Sequence, residues 1–129
     1  MPKVFASIKT VPYKVEIRTA SGNEITVDEP LDSGGKDTGF SPKELLAAAL
    51  SACTSVTLRM YMDRKGWETS EIKVETELTE VEKKTVFDQK IEFSGEIDDE
   101  KKNRLIQIAN ACPVHKLLSN PIEFRTGTV

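Results

Sequence analysis

The stretch SPKELLAAALSACTSVTLRMYMDRKG, residues 41–66, decides how the rest of the chain is read. It predicts one long helix with both ends marked. Ser41 and Glu44 form an S-x-x-E capping box, with Pro42 at the first helical position. Arg64 and Lys65 complement the negative end of the helix dipole, and Gly66 supplies a left-handed stop. Leu45, Ala49, Val56 and Met60, with Leu46, Leu50 and Cys53 between them, make a broad apolar stripe at helical spacing. Small residues at 47–49, 51 and 52 keep the middle thin, so that another helix can approach closely. A thiol, Cys53, stands at the centre of this helix.

Upstream, residues 3–10, 13–20 and 24–28 are β-leaning. In the second run Val15, Ile17 and Thr19 alternate with Lys14, Glu16 and Arg18, the pattern of a half-buried strand. Ser21-Gly22-Asn23 is a turn signal, and Ile25 and Val27 share one face of the third run. These strands are expected to form an antiparallel meander. The loop LDSGGKDTGF, residues 31–40, leads into the helix. Gly34 to Gly39 fits G-x-x-x-x-G, but Phe40 stands where a phosphate-binding loop needs lysine, and no βαβ unit surrounds it. A flexible rim loop whose glycines allow positive φ is the expectation.

Downstream, Ile72, Val74, Thr76 and Leu78 alternate with polar residues, as do Phe87, Ile91 and Phe93. Glu82-Lys83-Lys84 between them suggests a second long hairpin, and Trp67 reads as a helix-end packing residue. A second helix is expected from Asp98, with Leu105, Ile106 and Ala109 on its buried face. Cys112-Pro113 interrupts it. Proline disfavours helix at the preceding residue and suits the first position of a new one. Residues 113–119 therefore form a fresh or kinked segment with Cys112 near its N-cap, Pro121 ends it, and residues 122–125 read as a final short strand.

At 129 residues the chain is long enough for one domain, residues 1–129, with a real core. A net charge of −3 with Lys and Glu interleaved argues against a nucleic-acid or membrane-surface partner. No uninterrupted apolar run approaches 18 residues and no secretory h-region opens the chain, so a cytoplasmic protein is expected. Two cysteines in that compartment read as thiols rather than a permanent bridge.

Cys112 at a helix N-terminus meets unpaired N–H groups and a positive dipole end, which favour the thiolate. Cys53, about three turns inside its helix, lacks that help. Each also reads as a small buried hydrophobe. Cys112, His115 and Cys53 offer three zinc ligands where a structural site uses four, so no metal is expected and His115 defaults to a solvent-facing or capping role. No serine elbow, carboxylate pair or dinucleotide fingerprint suggests a cofactor.

The helix motif SPKELLAAALSACTSVTLRMYMDRKGW and the later ANACPVHKLLS, in a strand–helix–strand–helix order, resemble the OsmC/Ohr family over nearly the whole chain. The resemblance implies an α+β fold of antiparallel curved sheets around two central helices, in an intertwined homodimer with active sites at its interface. It also implies thiol-dependent reduction of peroxides, organic hydroperoxides above all, in oxidative-stress defence. Cys53 matches the peroxidatic cysteine and Cys112 the resolving one, with recycling by an external dithiol or a lipoyl-bearing protein. Well-characterised peroxidases of the family carry a glutamate ten residues before the first cysteine, where this chain has Lys43. Glu44, nine before, falls ~900° round the helix, opposite Cys53, and ~13.5 Å along it; it stays a supporting candidate that could act from the partner chain, although its capping box already accounts for it. The family also uses an arginine from the N-terminal strands. Arg18 is the only one there, and on residues alone it belongs to the solvated face with Lys14 and Glu16. Two other readings stand beside the peroxidase: a redox-sensing or small-ligand-binding protein without efficient turnover, and an interaction domain with inert thiols.

Overall fold

The computed structural model describes residues 1–129. By its internal contacts the chain divides into two compact units, Met1–Leu46 and Ala47–Val129, and one helix runs across the boundary. The first unit opens with β1 (Val4–Ile8), β2 (Val15–Thr19) and β3 (Glu24–Val27). They form the expected antiparallel meander in the order β1-β2-β3, with Ile8 opposite Val15 and Arg18 opposite Glu24. The turn at Gly22 takes φ 98°, and the Asn23 N–H donates to Thr19 Oγ1 at 3.1 Å.

The glycine-containing loop is organised rather than a flexible rim. Buried Asp28, just past β3, gathers three donors from it and a fourth from Glu29. Its carboxylate accepts from the Thr38 hydroxyl at 2.7 Å and from the N–H groups of Glu29, Lys36 and Thr38 at 2.8, 3.2 and 3.2 Å. Only Gly34 of the loop's three glycines has positive φ. Gly35 and Gly39 serve close approach instead: a Cβ on them would lie 2.0 Å from the Glu29 carbonyl oxygen and 2.2 Å from that of Thr26.

Helix α1 (Pro42–Lys65) has the predicted ends. In the second unit it is followed by β4 (Ile72–Val81), β5 (Lys84–Phe93), α2 (Asp99–Ala109) and α3 (Pro113–Ser119). β4 and β5 pair antiparallel, closing on the two-residue turn Glu82-Lys83 with φ 50° and 67°, the left-handed pair of a type I′ hairpin. The core joins Leu58 and Met62 of α1 to Leu105 and Ala109 of α2, with Ile72, Ile91 and Phe93 packed against them. Trp67 meets Tyr61 edge-to-face at 5.6 Å, the helix-end packing read for it.

The fold is α+β with antiparallel sheets, and the Cys112-Pro113 break starts α3 as a fresh helix, one of the two forms expected for residues 113–119. Beyond the glycine loop it departs from expectation in three places. The buried row of α1 is Leu50, Thr54, Leu58 and Met62, at a strict four-residue spacing. Val56 and Met60, expected on the covered stripe, are 53% and 60% exposed. Ile106 is also exposed, because Leu105 and Ala109 already occupy the inward face of α2 and Ile106 lies about 100° further round. Residues 122–125 form no strand, since no sheet edge of the chain pairs with them.

Candidate active site

Two free thiols lie in the second unit. Cys53 is half-buried in the helix. Cys112 is fully buried at the N-cap of α3, where Pro113 takes the first helical position and Cys112 itself is extended (φ −66°, ψ 148°). The cap is closed by sulfur: the backbone N–H of His115 donates to Cys112 Sγ at 3.3 Å. The proline therefore fixes where the helix begins, and the helix start fixes where the thiol points.

On its other side Cys112 Sγ lies 3.9 Å from Thr54 Oγ1, the residue after Cys53. Thr54 is the polar member of the buried row of α1, and a polar network runs away from it. Gln89 Nε2 on β5 donates to Thr54 Oγ1 at 3.2 Å and to Thr76 Oγ1 on β4 at 3.1 Å. Ser51 Oγ, one turn before Thr54, donates to Thr76 Oγ1 at 2.7 Å. Thr76 and Gln89 are directly opposed in the hairpin register. No buried side-chain nitrogen or oxygen lacks a partner. The site thus combines a buried thiol with a satisfied network that fixes the hydroxyl beside it.

This network was not anticipated from the sequence, although its signal is present. Thr76 and Gln89 sit at inward positions of strands whose other inward residues are apolar, and Thr54 interrupts Leu50, Leu58 and Met62 in the same way. Polar residues at core positions require partners, and these three supply one another's.

The remaining candidates are held by contacts of their own. Arg18 is exposed on β2, its guanidinium 4.6 Å from the ring centroid of Phe5 on β1. Both line a surface hollow of about 700 Å³ on the first unit. Glu44 closes the capping box: its carboxylate accepts the Ser41 N–H at 2.9 Å while the Ser41 hydroxyl accepts the Glu44 N–H at 3.2 Å. That bond from the Ser41 backbone is the leading cause holding the Glu44 carboxyl below its ordinary value. His115 contributes its backbone, through the N–H on Cys112 and a carbonyl that accepts from Ser119 Oγ at 2.9 Å. No group of three or more His, Cys, Asp and Glu side chains is arranged to hold a metal ion.

The chain resembles several solved structures. A candidate osmotic stress induced and detoxification response protein from Psychrobacter arcticus 273-4 superposes with a TM-score of 0.78 at 24% identity, over 91% of this chain and 88% of that one. The organic hydroperoxide resistance protein OhrB of Bacillus subtilis gives 0.65 at 24%, over 91% and 89%. An organic hydroperoxide resistance protein from Elizabethkingia anophelis gives 0.69 at 21%, over 95% and 91%. These likenesses establish the fold. No curated protein matches the chain in sequence. The family model of OsmC-like proteins matches residues 34–127, a span that takes in the loop's three glycines, α1 and both cysteines, and the chain belongs to that family.

Proposed function

We propose that the protein is a thiol-dependent peroxidase that reduces organic hydroperoxides, and hydrogen peroxide less readily, through Cys53 and Cys112 in oxidative-stress defence. The observation that carries the reading is the placement of Cys112 Sγ against Thr54, the neighbour of Cys53, by the cap of α3. Two relatives of the same fold bear organic hydroperoxide resistance in their names.

The chemistry begins with Cys53 thiolate attacking the terminal peroxide oxygen. The O–O bond breaks, sulfur is oxidised to sulfenic acid, and the departing alkoxide takes a proton to become the alcohol. Cys112 thiolate then attacks the sulfenic sulfur, forming the disulfide and releasing hydroxide, which is protonated to water. An external dithiol, free or on a lipoyl-bearing protein, returns both cysteines to thiols by exchange. Glu44 is assigned to the helix cap, and Arg18 is a candidate for orienting substrate.

The working form in this reading is a cytoplasmic homodimer. α1 is long and apolar enough to cross a membrane, a property that core helices of soluble proteins share. A helix this apolar on several faces calls for more cover than its single buried row receives. A second copy laid along Val56 and Met60 supplies it.

The test is peroxide consumption with cumene hydroperoxide and hydrogen peroxide in parallel, dihydrolipoamide or glutathione serving as reductant. Turnover with cumene hydroperoxide and dihydrolipoamide is expected. Oxidation to a disulfide without turnover would replace the peroxidase with a redox sensor.

A further inference from the structure

The buried polar network beside Cys112 has a direction. A primary amide nitrogen carries two donors, and Gln89 Nε2 spends one on Thr54 and one on Thr76. Thr76 Oγ1 accepts from Gln89 and again from Ser51, which fills its two lone pairs. Thr54 Oγ1 accepts from Gln89 and keeps one proton of its own. The other polar atom beside that hydroxyl is Cys112 Sγ at 3.9 Å, and either of the two can be the donor. As a thiolate Cys112 has no proton to give, so in that form only the Thr54 hydroxyl can donate across this contact, beside the His115 N–H, and both Thr54 and Cys112 are completely buried. The thiolate that attacks in the resolving step is thus met by two donors.

Packing alone does not call for threonine here. Position 54 lies between Leu50 and Leu58 on the buried row, where valine has the same shape and no hydroxyl to desolvate. We propose that Thr54, oriented by Gln89, is a positioning residue for Cys112: its hydroxyl proton holds the sulfur as an acceptor aimed from the α3 cap toward oxidised Cys53. This rests on the two-cysteine reading above. In the step concerned, Cys112 thiolate attacks the sulfur of the Cys53 sulfenic acid. The S–S bond forms, the S–O bond breaks and hydroxide leaves to become water. The Thr54 proton stays on its oxygen throughout.

Three substitutions separate this role from scaffolding. Thr54→Val removes the donor and keeps the shape; Thr54→Ser keeps the donor. Gln89→Glu replaces the amide by an acceptor-only carboxylate, toward which the Thr54 proton turns, away from sulfur. Each is given one equivalent of cumene hydroperoxide, quenched over time with dimedone and resolved by non-reducing mass spectrometry. Thr54→Val and Gln89→Glu should close the disulfide about tenfold more slowly, the worth of one hydrogen bond to a charged group. Thr54→Ser should stay within about twofold of wild type, and oxidation of Cys53 should change far less than closure in all three. Equal slowing of both steps would mean a general structural effect and overturn the proposal, as would unchanged closure in Gln89→Glu.

A second readout needs no peroxide. Buried Cys112 is reached only through local opening, so in the Cys53→Ser background its modification by methyl methanethiosulfonate is divided by the opening constant from hydrogen exchange of the His115 amide; the corrected rate should fall about tenfold once Thr54→Val or Gln89→Glu is added, with serine at 54 restoring it. If wild type never oxidises at Cys53, the two-cysteine reading fails while this ordering still decides the role of Thr54. If Thr54→Val does not fold, Gln89→Glu decides both readouts.

Discussion

Ser41 and Glu44 cap α1 reciprocally, each backbone N–H donating to the other's side chain, at 2.9 Å to the Glu44 carboxylate and 3.2 Å to the Ser41 hydroxyl. The carboxylate is thus committed to the first turn of the helix. Ser41→Ala should lower unfolding free energy by about 1 kcal/mol, the ordinary worth of an N-cap, read by urea denaturation. Glu44→Gln preserves a capping box and removes only the charge. It should leave peroxide consumption within about twofold of wild type. A large loss of turnover with stability intact would instead make Glu44 part of the chemistry.

Asp28 is the second anchored carboxylate. Hydrogen bonding, first from the Thr38 hydroxyl and then from backbone N–H groups, outweighs its burial and lowers it from 3.8 to about 2. With the folded value below the unfolded one, its contribution is complete above about 3.8 and disappears as pH falls toward 2. In that window the unfolded chain binds more protons, so stability rises with pH. Urea unfolding of wild type and Asp28→Asn should therefore differ most at neutral pH and converge near pH 2. A gap that stays constant across the window would remove Asp28 as the cause.

The same loop makes a prediction about glycine. A Cβ at Gly35 would lie 2.0 Å from the Glu29 carbonyl oxygen and 2.8 Å from Asp28 Oδ1, so neither backbone nor anchor has room for it. Gly35→Ala should cost roughly 2 kcal/mol or more in urea denaturation, at the upper end of ordinary substitutions. At Gly22 nothing lies within 4 Å, and alanine there should pay only for its positive φ.

How much of this was legible in the sequence follows the range of the interaction. The ends of α1, the two hairpins and the restart at Cys112-Pro113 are short-range features, written in caps, alternation and proline, and the structure carries them. The rotation of α1 was not legible in the same way. Leucine, alanine, valine and methionine surround that helix, so periodicity could not select Leu50, Thr54, Leu58 and Met62 as the row facing the hairpin. Asp28 was hidden for a related reason. Its partners lie eight to ten residues away, and the glycines drew attention to phosphate chemistry when their role is to let backbone approach backbone. Thr54, Thr76 and Gln89 were visible singly as polar residues in apolar patterns, but only the hairpin register makes them one network.

The exposed face of α1 bears on assembly. Val56 and Met60 lie one turn apart, both more than half exposed in the single chain. If a second copy covers them, light scattering at micromolar concentration should return twice the chain mass of 14.4 kDa. Val56→Glu should shift the protein toward monomer, because an unpaired carboxylate would be buried in an apolar interface. A folded wild-type monomer would reject the dimer.

The order of the thiol chemistry gives the most discriminating experiment. Cys53→Ser should abolish peroxide consumption, because the proposed nucleophile is gone. Cys112→Ser should still react once. It should leave a sulfenic acid on Cys53 that dimedone traps, and then overoxidise or depend on a small thiol. The 58 residues from Thr54 to Cys112 are no obstacle to closure, since the fold already sets Sγ of one against Oγ1 of the other. The remaining requirement is that the Cα atoms of the two cysteines come within about 7 Å, and the break before α3 is the point where the backbone can yield. Mass spectrometry after one equivalent of cumene hydroperoxide should find the Cys53–Cys112 disulfide in wild type and dimedone on Cys53 in Cys112→Ser. Dimedone first on Cys112 would reverse the roles. A wild-type protein that consumes peroxide and forms no disulfide would leave Cys53 to act alone, and Cys112 would then be only the sulfur cap of α3.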